Sequence, residues 1–245
     1  MTNSIILKVR EELTKNNILR VGINASNFLL VSRINSDGLP FGIAPDLGRF
    51  FARELDVNPK FIVFENPGKL ADAGLEDAWD IAFVGNEPQR AKDIAFSAPY
   101  LEIPVTFLVR ENSPIRDLSE IDQVGNRISV MNRSAYDLYL TATIKHATIV
   151  RAESIDESFE QFIRDDLEVL GGLKPRLVAD CAKTPGSRIL DGQITSVKQS
   201  AGTLPAHKES AKYLHEFIEQ AKESGMVSDL IEKYAVDGVI VASPA

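Results

Sequence analysis

The sequence is organised around the segment Trp79-Asp-Ile-Ala-Phe-Val-Gly-Asn-Glu-Pro-Gln-Arg-Ala-Lys-Asp-Ile-Ala-Phe-Ser-Ala-Pro-Tyr100. The apolar run Ile81–Val84 predicts a buried strand, which breaks at Gly85. Pro88 is tolerated in the first turn of a helix, and Arg90 follows two residues later. A guanidinium offers a planar fork of donors, and a helix start offers free N–H groups in a positive field. We therefore predict a carboxylate-binding corner around Arg90.

The composition is that of a soluble globular protein, and it excludes some classes of function. The 245 residues include 44% apolar and 25% charged side chains, enough to bury a core in one large domain or two small ones. The formal net charge of −8 argues against nucleic-acid binding, because phosphate contacts need a cationic face. A small ligand remains compatible with this charge, since one arginine can bind an anion within an acidic protein.

The chain offers little for metal or covalent chemistry. Cys181 is the only cysteine, so an intrachain disulfide and a cysteine-based zinc site are excluded. His146, His207 and His215 have no metal-ligand spacing among them. The sequence contains no glycine-rich phosphate loop and no nucleophile elbow. We therefore expect no metal, no cofactor and no catalytic residue.

The N-terminal residues 1–17 form an amphipathic segment without the features of a signal peptide. No apolar run reaches the length that spans a bilayer. On the sequence alone we expect a soluble chain without an export signal, and a cytoplasmic location stays open.

Strand and helix patterns alternate in the first part of the chain. The predicted elements are strands at Leu19–Ile23, Phe61–Phe64 and Asp80–Val84, and helices at Leu47–Leu55 and Leu70–Ala78. This order is typical of a parallel sheet.

The connecting segments of this part also receive predictions. Phe28–Val31 is predicted to be extended, and Asp46 to cap the helix that follows it. Phe96–Tyr100 is predicted to be a turn, before a long extended strand at Ile103–Val109.

The alternation restarts further along the chain. The predicted strands are Arg127–Met131, Thr148–Val150, Leu167–Leu170 and Gln193–Val197. Gly171-Gly172 is predicted to close its strand, and Gly202–Pro205 to be a linker before a helix at Ser210–Ser224. We therefore predict two α/β lobes, residues 1–107 with 200–245 and residues 108–199, joined by two crossing strands. A cleft between lobes is a common place for a small ligand.

Four motifs in this layout are typical of one family. They are Leu19-Arg-Val-Gly-Ile-Asn24, Gly42-Ile-Ala-Pro-Asp-Leu47, Trp79-Asp-Ile-Ala-Phe-Val-Gly85 and Arg90-Ala-Lys-Asp-Ile-Ala-Phe-Ser-Ala-Pro-Tyr100. The last looks like the family's Arg-x-x-x-x-x-Phe-Ser-x-Pro-Tyr signature. From Leu19 to about Tyr234 the chain resembles the bacterial extracellular solute-binding proteins of family 3, which serve polar amino-acid ABC transporters. The resemblance implies a two-lobe α/β fold of the periplasmic-binding-protein type II class. Each lobe would be a mainly parallel sheet flanked by helices, with two hinge strands.

The resemblance also assigns roles to residues. Arg90 matches the arginine that grips the α-carboxylate of the ligand in this family. Gly85 and Asn86 match residues that contact the amino group. Asn24 matches a polar position after the first strand, and Arg133-Ser134 matches the start of the second lobe's first helix.

Four further residues complete the predicted ligand-binding site. Asn27 and Phe28 follow the first strand, and the Phe28 ring is a candidate wall for an apolar part of the ligand. Glu87 lies between the predicted strand and the predicted helix. Asn132 belongs to the polar end of the second lobe's first strand.

Departures from the family pattern leave the ligand class open. The segment before Arg90 is shorter than in known relatives, and Arg133 replaces a small residue. Leu170-Gly-Gly172 stands where relatives usually carry an aspartate that pairs with the ligand's ammonium, and Asn24 is neutral. Either Glu87 supplies the counter-charge, or the ligand is a keto acid or dicarboxylate without an amino group.

We therefore predict a hinge-closing binding protein that captures a small carboxylate-bearing ligand, an amino acid or a related organic acid, in an interlobe cleft. An ABC transporter permease is the expected partner, the resemblance implies a periplasmic location, and a monomer is expected. Two other interpretations remain open. One is an enzyme like the cyclohexadienyl or arogenate dehydratases, with Glu87 or Glu102 as acid or base. The other is a cytoplasmic small-molecule sensor.

Overall fold

The computed structural model describes residues 3–244, in which helices and strands alternate. The elements up to residue 110 are α1 (Asn3–Leu13), β1 (Ile18–Asn24), β2 (Arg33–Ile34), β3 (Pro40–Phe41), α2 (Ile43–Glu54), β4 (Asn58–Phe64), α3 (Pro67–Leu75), β5 (Ile81–Gly85) and β6 (Ala95–Arg110). The later elements are β7 (Arg127–Met131), α4 (Ala135–Thr143), β8 (Thr148–Ala152), α5 (Ile155–Arg164), β9 (Val169–Leu173), α6 (Lys174–Lys183), β10 (Ser187–Ile189), β11 (Thr195–Thr203), α7 (Lys208–Glu223), α8 (Met226–Lys233) and β12 (Ile240–Val241).

The chain divides into two compact units. The first unit runs to Glu102 and resumes at Lys198, and the second comprises Ile103–Val197. The long strands β6 and β11 each contribute residues to both units.

The sheet of the first unit is built on parallel strands. Its order is β4-β1-β5-β11-β6, and β12 pairs with β6 at Leu101 and Glu102. β1 is parallel to β4 and to β5, and β11 returns antiparallel to β5. β5 is buried along all five of its residues, as expected for a strand covered on both faces. The structure confirms the parallel alternation predicted for this part of the chain.

The largest core of the first unit joins residues from both ends of the chain. Val9 of α1, Phe51 of α2 and Phe217 of α7 are buried in it, together with Leu230 of α8. The rings of Phe51 and Phe217 meet edge to face with centroids 5.1 Å apart, a favourable aromatic geometry.

A second core of the first unit surrounds Trp79. The indole is fully buried, and its Nε1 donates to the carbonyl oxygen of Leu70 at 2.8 Å. A Cβ on Gly74 would lie 2.5 Å from the indole ring, and one on Gly22 would lie 3.1 Å from it. Glycine at position 74 is therefore needed for the close approach of the ring, and glycine at position 22 leaves the ring a tight fit.

The sheet of the second unit has β7 between β8 and β9, and β7 is parallel to both. β6 is antiparallel to β9, and the short β10 is antiparallel to β6. Helices α5 and α6 contribute Phe162 and Leu177 to a core that also contains Leu108.

The turn predicted at Phe96–Tyr100 is wrong, because these residues open the long strand β6. Their polar groups have partners far along the chain. The Ser97 hydroxyl accepts from the Ala201 N–H at 3.2 Å, and the Ala98 N–H donates to Nδ1 of His215 at 3.0 Å. These hydrogen bonds to distant residues satisfy polar groups of a segment whose Ser97-Ala-Pro99 sequence is typical of a turn, and the backbone stays extended.

The predicted ends of two strands are also wrong. Gly171 and Gly172 lie inside β9, opposite Phe107 and Thr106, and Gly202 lies inside β11, opposite Ala82. A Cβ on Gly171 would lie 3.2 Å from the Phe107 ring, and one on Gly202 would overlap the Ile94 side chain. Glycine at these positions permits close packing within a strand.

Two local predictions near the start of the chain are corrected as well. Phe28–Val31 is a turn, in which the Asn27 carbonyl accepts from the N–H groups of Leu30 and Val31. Asp46 lies inside α2, whose N-cap is Gly42. The Asp46 carboxylate accepts from Lys233 and Tyr234, both at 2.7 Å. Asp46 therefore joins α2 to the end of α8.

We predict that Gly42→Ala destabilises the protein strongly. Gly42 has φ 144°, and a Cβ there would overlap the carbonyl oxygen of Leu30. We expect a loss of about 3 kcal/mol in the free energy of unfolding, from backbone strain plus overlap. The control is Gly38→Ala, where φ is 77° and no atom lies within 4 Å of the added Cβ. It should cost only about 1 kcal/mol. Equal losses for the two variants in urea titrations would contradict the steric explanation.

Candidate functional site

Two of the predicted segments meet at one edge of the first unit's sheet. β1 ends at Asn24 and β5 ends at Gly85, and the two strands are parallel neighbours with Ile23 opposite Phe83. The segments 24–28 and 85–90 therefore both follow the carboxyl ends of adjacent strands. In open α/β sheets this edge is where ligands bind.

The segment after β1 is held by its own asparagines. Oδ1 of Asn24 accepts from the Ser26 hydroxyl at 2.7 Å and from the Ser26 N–H at 3.2 Å. Asn27 is buried, and its Oδ1 accepts from the Leu29 N–H. Phe28 is 42% exposed. Both asparagines thus stabilise turns, and the Phe28 ring supplies apolar surface beside them.

The helix predicted at Pro88 is wrong, and this changes the arrangement around Arg90. Only a single 3₁₀ turn, Arg90–Lys92, forms there. The N–H groups of Arg90 and Ala91 both donate to the Glu87 carbonyl at 2.9 Å, so the backbone donors expected at a helix start are used locally.

The Arg90 side chain is nevertheless placed at the strand end. It is only 6% exposed, and its Nη1 donates to the carbonyl oxygen of Gly85, the last residue of β5, at 2.9 Å. The neighbouring Asn86 is tied to β11, because its N–H donates to the Lys198 carbonyl at 2.8 Å. A fixed guanidinium at the end of a buried strand is well suited to bind a carboxylate in two-point fashion.

Glu87 has an unusual electrostatic environment. Burial raises the pKa of its carboxyl to about 7, although the positive charge of Arg90 acts in the opposite direction. Near neutral pH this group therefore exists in both protonation states. A nearby cation, such as a ligand ammonium group, would favour its ionised state.

The predicted residues of the second unit follow the end of β7. The Asn132 N–H donates to the Ala152 carbonyl at 2.7 Å, and Arg133 is exposed with a left-handed φ of 57°. Ser134 is the N-cap of α4, and its hydroxyl accepts from the Asp137 N–H at 3.1 Å. In return, the Asp137 carboxylate accepts from the Arg133 N–H at 2.7 Å. The start of α4 is thus capped by its own residues in a reciprocal arrangement.

A small cavity of the second unit lies between α4 and α6. Its volume is about 10 Å³, and it is lined by Tyr136, Gly172 and Arg176, among other residues. Arg176 is paired with Asp156 at 2.7 Å and with Asp180 at 2.8 Å. Burial raises the pKa of Tyr136 to about 12. The cavity has room for about one water molecule, so it is too small for a solute.

Two buried polar residues near these strand ends were not among the predicted site residues. Asp137 is 2% exposed and pairs with Arg151 at 2.9 Å. Its spacing of three from Ser134 is a capping signal that could have revealed it. Gln199 of β11 is 5% exposed and lies opposite Gly85. It has no local signal, because only the pairing of β11 with β5 brings it there.

Within residues 3–244, no group of three or more His, Cys, Asp or Glu side chains has the arrangement of a metal site. In the same part of the chain no helix has the length and apolar character to cross a membrane.

Comparison with known proteins shows the family of the chain. The sequence pattern of the bacterial extracellular solute-binding proteins, family 3, matches residues 19–237. The chain belongs to this family. The resemblance predicted from the Arg90–Tyr100 signature is thereby confirmed, and so is a solute-binding function.

Solved structures confirm the fold class of this solute-binding protein. A cysteine-binding protein from Campylobacter jejuni superimposes with a TM-score of 0.77 at 15% identity, covering 99% of this chain and 100% of its own. A binding component of an ABC transporter from Wolinella succinogenes, complexed with lysine, gives 0.76 at 18% identity, covering 91% and 97%. An ancestral amino acid-binding protein, a precursor of cyclohexadienyl dehydratase, gives 0.73 at 20% identity, covering 95% and 99%. At these identities the likeness establishes the type II periplasmic-binding-protein fold.

We predict a specific pH dependence of stability from Glu87. Because its pKa is raised on folding, from 4.5 to about 7, the protonated form is favoured in the folded protein. Its contribution to stability is complete below pH 4.5 and is lost as the pH rises through 7. Glu87→Gln should therefore match the wild type at pH 4 and exceed it by about 2 kcal/mol at pH 8, allowing for partial exposure.

Urea titrations of both proteins from pH 4 to pH 8 measure this difference. Glu65→Gln, on an exposed carboxylate of the same unit, is the matched control and should show no such divergence. A constant difference between Glu87→Gln and wild type across this range would show that the Glu87 pKa is not raised.

Proposed function

We propose that this solute-binding protein captures a small carboxylate-bearing ligand, an amino acid or a related organic acid, with Arg90 as the anchor of the carboxylate. The observation that carries the proposal is the position of Arg90, buried and bonded to the last carbonyl of β5. The family membership and the amino acids bound by proteins of this fold support the ligand class.

The burial of Arg90, which is only 6% exposed, should strengthen its attraction for a carboxylate. A guanidinium presents five N–H donors in a fixed plane, and the bond from Nη1 to the Gly85 carbonyl orients this plane. A carboxylate can bind two parallel donors of such a fork. In partly buried surroundings the attraction is stronger than at a fully hydrated surface.

Glu87 should respond differently to an amino acid and to an acid without an amino group. A ligand ammonium would hold Glu87 ionised and gain a counter-charge at pH 8. A dicarboxylate would instead favour protonated Glu87, since two like charges in a desolvated place repel. The pKa of about 7 therefore allows either class, with opposite dependence on pH.

The remaining parts of the proposal concern the second unit and the biological context. Asn132, Arg133 and Ser134 are the proposed ligand contacts of the second unit, and closure about β6 and β11 is the proposed response to binding. We further propose that the protein acts as a monomer outside the cytoplasm, delivers its ligand to an ABC transporter permease, and performs no catalysis.

We predict that Arg90→Ala abolishes ligand-induced stabilisation. In a thermal-shift screen of amino acids, keto acids and dicarboxylates, a true ligand at 100 times its Kd stabilises the wild type by about 2.7 kcal/mol. Arg90→Ala should lose this shift, and Arg90→Lys should lose most of it, because lysine lacks the planar fork.

The matched control is Arg116→Ala, which removes an exposed arginine of the second unit. It should retain the full shift. An undiminished shift in both Arg90 variants would mean that Arg90 is not the anchor. Running the screen at pH 6 and pH 8 separates amino acids from dicarboxylates through Glu87.

An enzyme is the second candidate, favoured by a carboxyl group that is partly protonated at neutral pH. Glu87 has the pKa of a general acid, whereas Glu102 is paired within the sheet opposite Ile240. A dehydratase of this kind should convert prephenate or arogenate, and Glu87→Gln should lower the rate at least 100-fold. Absence of turnover by wild-type protein that still binds these acids would exclude this candidate.

A further inference from the structure

The first unit contains an open pocket at the carboxyl end of α2. Its volume is about 500 Å³, and its lining residues are Asn17, Arg49, Arg53, Asp56, Val57, Asn58 and Pro59. None of these residues belongs to the proposed solute site.

This pocket and the proposed solute site lie at opposite edges of the same sheet. β1 and β4 are parallel, with Ile18 opposite Asn58 and Asn24 opposite Phe64. The pocket therefore adjoins the amino ends of these strands, and Asn24 stands at the carboxyl end. Six residues of extended strand separate the two edges by about 20 Å. A small ligand cannot reach both.

Arg49 provides a fixed positive group in this pocket. Its Nη1 donates to Asp46 at 2.8 Å, and its Nη2 donates to the Pro40 carbonyl at 2.6 Å. The guanidinium carbon lies 4.6 Å from the centre of the Phe61 ring and 5.0 Å from that of Phe41. Stacking and hydrogen bonds together limit the motion of the guanidinium, so the side chain loses little freedom when an anion binds.

Arg53 provides the positive charge that is not balanced. It follows Arg49 by four residues, so both side chains lie on one face of α2. Arg53 is exposed, and its guanidinium carbon lies 5.5 Å from the Phe50 ring. Among the residues that the structure describes, no carboxylate forms an ion pair with Arg53.

Besides Asp46, which pairs with Arg49, an acidic residue of the pocket lining opposes these charges. Asp56 lines the pocket with a left-handed φ of 52°, and its carboxylate lies 3.6 Å from Arg10. Its side chain is 94% exposed, so water and Arg10 weaken its field. Asp56 thus lowers the affinity of the pocket for an anion without cancelling it.

We propose that this pocket is a second ligand site, which binds a small oxyanion through Arg53 and Arg49. The shared chemistry is that of inorganic phosphate and short carboxylates such as succinate, whose oxygens match the donor geometry of guanidinium groups. A site on the first unit alone can be occupied whether or not a solute is bound at the other edge of the sheet.

The test is a titration of the full chain with inorganic phosphate and, separately, with succinate, followed by backbone amide NMR. Saturable shifts are expected at residues 53–58. Arg53→Gln should weaken binding at least fivefold. Asp56→Asn should tighten it at least twofold, because it removes a like charge and asparagine tolerates the left-handed backbone. Lys69→Gln, which removes an exposed positive charge on α3, is the matched control and should leave affinity unchanged.

The outcomes separate this site from the solute site. Arg90→Ala should leave the shifts at residues 53–58 intact, even if it abolishes solute binding. A preference for phosphate or for succinate shows which of the two anion chemistries the site favours. Shifts that are absent at 50 mM of either anion, or that persist unchanged in Arg53→Gln, would overturn the proposal.

Discussion

The burial of β5 is the constraint on which the first unit depends. Its five residues are buried, and it is hydrogen-bonded on both edges, by β1 and by β11. A strand in this position cannot carry an unpaired polar side chain along its length, because burying a polar group without a hydrogen-bond partner costs several kcal/mol. Charged side chains therefore stand only at its ends. At the beginning, Asp80 is neutralised by Arg20 at 2.6 Å, and the pair holds the chain in place. At the other end, Glu87 and Arg90 stand together in partly dehydrated surroundings, and that is where recognition is proposed.

Much of the fold could be predicted because its signals are local. The apolar run Ile81–Val84 and the helical spacing in α2 are readable within a few residues, since a strand covered on both faces and an amphipathic helix each impose a characteristic pattern. The errors concern residues whose neighbours are distant in sequence. Gly202 is next to Ile94, and Ala98 is next to His215. No pattern within β6 or β11 reports these contacts, so a turn and a linker were predicted where the strands continue.

The site shows the same division. Arg90 is predicted from a signature, and the structure shows it buried at the strand end. Its role as the ligand anchor stays a prediction. The backbone conformation around Arg90 could not be predicted, because a proline after a strand, here Pro88, is compatible with a helix or with a single 3₁₀ turn. The hydrogen bond from the Asp137 N–H to the hydroxyl of the N-cap residue Ser134 could be predicted from their spacing of three. The position of Gln199 could not be predicted, because only the pairing of β11 with β5 brings this residue to the end of β5.

The division of the chain has a consequence for the order of its synthesis. The second unit is one continuous segment, so it can complete its sheet as soon as Val197 has left the ribosome. The first unit cannot. One edge of β5 has no partner until β11 is made. The Asp46 carboxylate also lacks two of its hydrogen-bond donors until Lys233 and Tyr234 have been synthesised. During that interval the nascent chain exposes an apolar strand edge of the kind that pairs with other chains. Residues 199–203 of β11 are therefore the ones that cover this edge of β5 and protect it from pairing with other chains.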